Sequence, residues 1–197
     1  MNAHTELHYA LVALGIALIV IGVWIFISPL LQQSFTLSSG ISPLPSATTS
    51  MQLTSSAFVH NGTIPQRYTC QGLNVSPPLS LSGTPPSTKS IAFIMDDPDA
   101  PQGTWTHWLW WNASSSLQTL SENTFPLQVI QGTTSAGSVG YHGPCPPSGT
   151  HRYIFHAYAL DTLLTLSSST TAPLLRSAMQ GHILAEGQLI GLYAKSQ

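Results

Sequence analysis

Apolar residues in this chain come mostly in short runs cut off by turn formers, and one run is far longer than the rest. Ala10–Leu31 is twenty-two residues without a charge. That length spans a hydrocarbon layer of ~30 Å. The nine residues before it carry no Lys or Arg, and no small-x-small exit follows it. These features predict an uncleaved transmembrane anchor over 10–31 in place of a removed signal. Residues 1–9 form a short polar start. Residues 32–50 are rich in Ser and Thr, with Pro43 and Pro45 and no sustained period, and read as a linker.

Everything after the linker, 51–197, has the rhythm of a mostly β domain. Leu53–Val59, Ile91–Met95, Trp105–Trp111, His151–Leu160 and Gln188–Tyr193 read as strands, and Gln128–Gln131 as a short one. Asn61-Gly62 is a hairpin signal. Asn74–Leu81 is interrupted by proline and fits an edge strand or a loop, ended by Pro85-Pro86. Pro173 opens a helix over Leu174–Glu186, in which Leu175, Met179, His182 and Ile183 recur at helical spacing and predict a buried face. His182 is thereby expected to be structural.

Composition narrows the function classes. Only 6% of the 197 residues are charged, with five basic and seven acidic residues, against a typical ~25%. No basic footprint for nucleic acid exists. Scarce charge makes its clustering informative. Three of the seven acidic residues fall in Asp96-Asp97-Pro98-Asp99. Pro98 and Pro101 remove two donors and fix φ, so Asp97–Gln102 is expected to be a rigid turn. The strand after it places Trp105, His107, Leu109 and Trp111 on one face by period two. A second stiff loop, Gly143-Pro144-Cys145-Pro146-Pro147-Ser148-Gly149, leads into His151. There His151, Tyr153 and Phe155 share a face, and Arg152, Ile154 and His156 point the other way. Two loops of this kind side by side would make a pocket with two imidazoles, a carboxylate and a phenol.

The two segments together resemble the phosphatidylethanolamine-binding protein family, in particular its bacterial and archaeal branch. Two more stretches match in order. Arg67-Tyr68-Thr69-Cys70-Gln71-Gly72-Leu73-Asn74-Val75-Ser76-Pro77-Pro78-Leu79 resembles the opening motif. Gly181-His182-Ile183-Leu184-Ala185-Glu186-Gly187 with Ile190-Gly191-Leu192-Tyr193 resembles the closing one. The resemblance covers about Gln52 to Lys195. It implies a β-sandwich: a large central antiparallel sheet, a smaller sheet packed on it, and a C-terminal helix alongside. It also implies an anion pocket built from Asp97, His107, Pro146, Pro147, His151 and Tyr153, with Asp99 and Trp105 in support.

Those residue types suit an anion. Imidazoles and a phenol donate to phosphoryl oxygens. A carboxylate fixes a histidine's tautomer and accepts from an ammonium group. The expected function is a membrane-anchored module that binds a small anion or phosphorylated headgroup, with a regulatory role. The alternatives are a contact inhibitor or regulator of an extracellular protease or kinase, and an acid–base hydrolase. No Gly-x-Ser-x-Gly is present, so binding is expected ahead of catalysis. No cofactor is expected, and a metal triad of His107, His151 and Asp97 ranks below the anion. A second copy of the chain is a further expected partner. The domain is expected outside the cytoplasm, where the only two cysteines, Cys70 and Cys145, would form a disulfide; two buried free thiols are the alternative. Asn61-Gly62-Thr63, Asn74-Val75-Ser76 and Asn112-Ala113-Ser114 are glycosylation triplets of a kind frequent by chance.

Overall fold

The computed structural model describes residues 51–195. The predicted anchor and linker lie outside the described residues. Among the described residues no helix is long and apolar enough to cross a membrane. The strands are β1 (Gln52–Thr54), β2 (Gly62–Thr63), β3 (Leu79–Ser82), β4 (Ser90–Asp97), β5 (Trp105–Ser114), β6 (Thr119–Leu120), β7 (Ile130–Gln131), β8 (Thr150–Leu160) and β9 (Ile183–Ala194), with one helix, α1 (Ala172–Met179), between the last two. They form a small sheet in the order β1-β3-β6 and a large one in the order β2-β9-β8-β4-β5-β7.

β4 lies inside the large sheet, and all eight of its residues are buried. Its alternate side chains feed two cores. Ile91, Phe93 and Met95 pack towards the small sheet with Trp108, Trp110 and Phe155. Ala92 and Ile94 pack under α1 with Leu109, Trp111, Leu175 and Met179. A strand covered on both faces needs an unbroken apolar run, and Ile91–Met95 supplies it. Phe93 stacks on Trp110 at 5.0 Å and meets Trp108 edge-on at 5.2 Å. Each such aromatic pair adds about 0.5–1.5 kcal/mol beyond its buried area.

Several sequence expectations are corrected. The predicted helix 174–186 stops at Met179, because Gly181 takes φ +80° and Ile183 onward pairs with β8 instead. The last strand is therefore twice the predicted length. His182 is exposed outside the helix and bonds Asp161 Oδ1 at 2.8 Å. Asn61-Gly62 makes no hairpin: Asn61 is left-handed, and β2 pairs in parallel with β9. The large sheet is antiparallel apart from that pair. The first strand ends at Thr54, where Ser55 Oγ turns to the carbonyl of Pro78. β3 is the middle strand of its sheet, not an edge. Asp97 still pairs with Trp105 as strand, so the turn begins at Pro98.

The correction that matters most for the site concerns β5. Met95 pairs with Trp108 while Asp96 pairs with Thr106, so His107 is an extra residue between them. This β-bulge breaks period two. Trp105 and His107 face the same side as Trp108 and Trp110, and Leu109 and Trp111 turn to the helix side. The predicted face Trp105, His107, Leu109, Trp111 is thus split after His107.

Candidate functional site

At the end of the large sheet, a cavity of about 450 Å³ opens between the turn after β4, the start of β5 and the loop before β8. Its lining includes Asp97, His107, Pro146, Pro147, His151 and Tyr153, so the structure brings together every residue assigned to the pocket from sequence. Trp105 forms part of the rim, with 37% of its surface exposed. Asp99 lies outside the lining and supports it.

Each polar group is held by a specific contact. His151 and Asp97 are almost fully buried, and His151 Nδ1 meets Asp97 Oδ2 at 2.7 Å. The other oxygen of Asp97 accepts the Asp99 N–H at 2.8 Å, closing an Asx turn over Pro98. Asp99 in turn receives the backbone and Nε N–H groups of Arg152, both at 2.9 Å, and its Nη2 at 2.6 Å. Arg152 therefore points away from the cavity, as the alternation of β8 predicts, but locks the turn from outside.

The Arg152 guanidinium beside Asp99 holds that carboxyl down at about 2, from an ordinary value of 3.8. A carboxyl with a depressed pKa adds stability that is present above about 3.8 and lost as pH falls through about 2. Asp99→Asn is expected to lower the melting temperature at pH 6 and to leave it unchanged below pH 2. A melting curve at each pH checks this.

His107 is also buried, and its Nδ1 lies 2.7 Å from the His142 carbonyl. A carbonyl only accepts, so Nδ1 carries the proton and Nε2 of the neutral ring carries a lone pair. Burial pushes His107 below the ordinary histidine range, against the opposing pull of the His142 carbonyl and of Asp97. Tyr153 packs edge-on against His107 at 5.2 Å. Its hydroxyl is buried without a hydrogen bond of ordinary geometry. Burial, and then the Asp97 carboxylate, push that phenol up, so it remains a neutral donor. Neither histidine Nε2 has a protein partner among the described residues.

The Pro-rich wall is pinned to the turn after the 3-10 helix Gln66–Tyr68. Cys70 and Cys145 form a disulfide, with Cα atoms 5.4 Å apart. Beside it the Cys70 N–H donates to the Pro144 carbonyl at 3.1 Å, and the Gly143 N–H to Asn74 Oδ1 at 2.8 Å. A Cβ at Gly143 would sit 2.5 Å from the Tyr68 carbonyl oxygen, so only glycine allows this approach. Asn74 and His142 were not assigned to the pocket from sequence. His142 acts through its carbonyl, which no side-chain pattern reveals. Asn112, in one of the glycosylation triplets, has both ends of its amide bonded to the backbone of Leu164 at 2.9 Å.

A two-sheet sandwich with a cavity at one end, lined by buried polar groups, is a ligand-binding fold. The comparisons name the class. Residues 54–194 match the family model described as phosphatidylethanolamine-binding protein, and the chain belongs to that family. A UPF0098 protein of Methanothermobacter thermautotrophicus is 49% identical over 150 residues, covering 74% of this chain and 99% of its own length. One from Chlamydia muridarum is 46% identical over 148 residues, with 73% and 98% covered. Among solved structures, the homolog CT736 of Chlamydia trachomatis superposes with a TM-score of 0.72 at 44% identity, covering 75% of this chain and 99% of its own. YbcL of E. coli, described as a new member of the mammalian family, gives 0.70 at 28% identity, with 74% and 99% covered.

Proposed function

We propose that the domain is a binding module for a small ligand carrying an oxyanion, a phosphoryl group first among them. The observation that carries this reading is the pair of cavity-lining histidines whose Nε2 atoms have no protein partner among the described residues, beside the buried Tyr153 hydroxyl, which lacks a hydrogen bond of ordinary geometry. Buried polar groups are normally satisfied. Their pairing is left to a ligand. The His151–Asp97 pair supplies a donor when its ring is protonated, and Tyr153 supplies a second. A cavity of about 450 Å³ is in the range of small-molecule sites, ~300–1,000 Å³. Among the described residues lining it there is no serine, threonine or free thiol. That favours binding over hydrolysis through a covalent intermediate.

We further read 10–31 as a membrane anchor and the domain as extracytoplasmic. A solvent-exposed disulfide supports an oxidising location. The pocket is tested by calorimetry with phosphate, phosphoethanolamine and acetate on the full-length protein. His151→Ala is expected to weaken binding at least tenfold, since a charge-assisted hydrogen bond contributes ~1.5–3 kcal/mol. Equal affinities for wild type and variant would remove the pocket assignment.

A further inference from the structure

Resting on that reading, we infer that the pocket selects an oxyacid that brings its own acidic proton: a phosphate monoester as the monoanion, in preference to a fully ionised anion of the same shape. No Lys or Arg lines the cavity. His107 has its one neutral-state proton committed to the His142 carbonyl at 2.7 Å. Its Nε2 presents a lone pair, and a lone pair requires a donor on the ligand. Tyr153 and, once its ring is protonated against Asp97, His151 present the complementary donors.

The ring of His107 has few means to take a second proton instead. Burial opposes it. The groups that act on it are Trp105 on its own strand, Asp97 and Asp96 on β4, Tyr153 on β8 and the carbonyl and ring of His142 on the loop. Asp97 is already committed to His151 at 2.7 Å and to the Asp99 N–H at 2.8 Å, and Asp96 to Arg176, while the His142 ring opposes a second proton. His151 is faced by that same Asp97 across the sheet. It is also faced by Tyr193, its register partner on β9, and by Asp99, which Arg152 neutralises. With the His151 ring protonated against Asp97, an arriving oxyanion thus meets two donors and one acceptor. R–O–PO₂(OH)⁻ satisfies all three: two oxygens accept from Tyr153 and His151, and its O–H donates to His107 Nε2. A phosphate dianion or a sulfate ester leaves His107 Nε2 facing an acceptor, a repulsive contact.

The test uses the full-length chain with methyl phosphate and methyl sulfate as probes. Calorimetry at pH 5 and pH 7.5, in two buffers of different ionisation enthalpy, measures proton uptake. Phosphate monoesters lose their second proton near pH 6, so at pH 7.5 methyl phosphate must regain one to bind. It is expected to take up about one proton more than methyl sulfate at pH 7.5, and nearly the same number at pH 5. Comparing the two esters cancels any proton gained by His151. The affinity ratio of phosphate to sulfate ester is expected to fall by about thirtyfold from pH 5 to pH 7.5, the change in monoanion fraction for a pKa near 6. His107→Gln can turn either end of its amide to the ligand and is expected to shrink that change. Equal proton uptake for the two esters would place the proton on His107 and overturn the inference while leaving the oxyanion pocket standing. No binding of either ester at either pH would remove the pocket reading and the inference with it.

Discussion

The Cys70→Ser/Cys145→Ser double variant is expected to lose about 4 kcal/mol of unfolding free energy. The bridge joins positions 75 apart. Closing a loop of that order in the unfolded chain costs roughly 4 kcal/mol in the chain-entropy description, within a measured range of about 0–5. A domain of this size has a total stability of ~5–15 kcal/mol, so the loss is a large share of it. Urea unfolding of wild type and variant measures the difference, and a reductant is expected to move wild type to the variant's midpoint. A loss under 1 kcal/mol would mean that the bond contributes little. Two thiols titrating in the unfolded, unreduced wild type would mean that it is absent. The local consequence falls on the pocket. Among the described residues, no backbone–backbone hydrogen bond ties Cys145–Gly149 to the rest of the domain, and Pro146 and Pro147 have no N–H to offer. The Gly143–Asn74 and Cys70–Pro144 bonds survive in the variant. The wall is therefore expected to loosen from Cys145 onward, weakening ligand binding even where the domain remains folded.

Arg176→Met is expected to cost about 3 kcal/mol. Asp96 is 4% exposed. It pairs with the Arg176 guanidinium, which also donates to the Tyr158 hydroxyl at 2.7 Å. Removing the cation leaves Asp96 with one side-chain donor, Thr106 Oγ1 at 2.9 Å. Breaking a buried pair from one side costs ~3–5 kcal/mol, because a desolvated charge is left behind. The Arg176 side chain is 42% exposed, which sets the expectation at the lower end. The double variant Asp96→Asn/Arg176→Met is expected to recover most of the loss, since it removes the stranded charge along with its partner. Double-mutant-cycle unfolding separates the two. Additive losses would show that the pair is not coupled.

The ion pairs show where a reading of sequence stops. Asp96, Asp97 and Asp99 stand together in the chain and read as one acidic cluster. In the fold they do three jobs. Strand alternation turns Asp97 into the cavity towards His151 and Asp96 to the opposite face towards Arg176, eighty positions away. The turn sends Asp99 to Arg152. The alternation itself was legible, but the partners were not, because they come from β8 and α1. All six carboxylates among the described residues are paired, three with Arg and three with His.

By itself the sequence determined what depends on local order. It set the β-rich class, the strands from Ile91, Trp105 and His151, the two stiff proline loops, and through four ordered motifs the family. The alternation of β8 put His151 and Tyr153 on one face and Arg152 on the other, as period two requires. Tertiary structure decided the rest. The helix yielded after Met179 because the long edge of β8 offered Ile183 onward a ladder of hydrogen bonds that eight residues of helix could not match. The bulge at His107 was decided by the pairing of β5 with β4, which no residue in β5 encodes alone. By adding one residue it turned His107 to the same side as Trp108, and so placed the imidazole over Tyr153, where its lone pair faces the cavity.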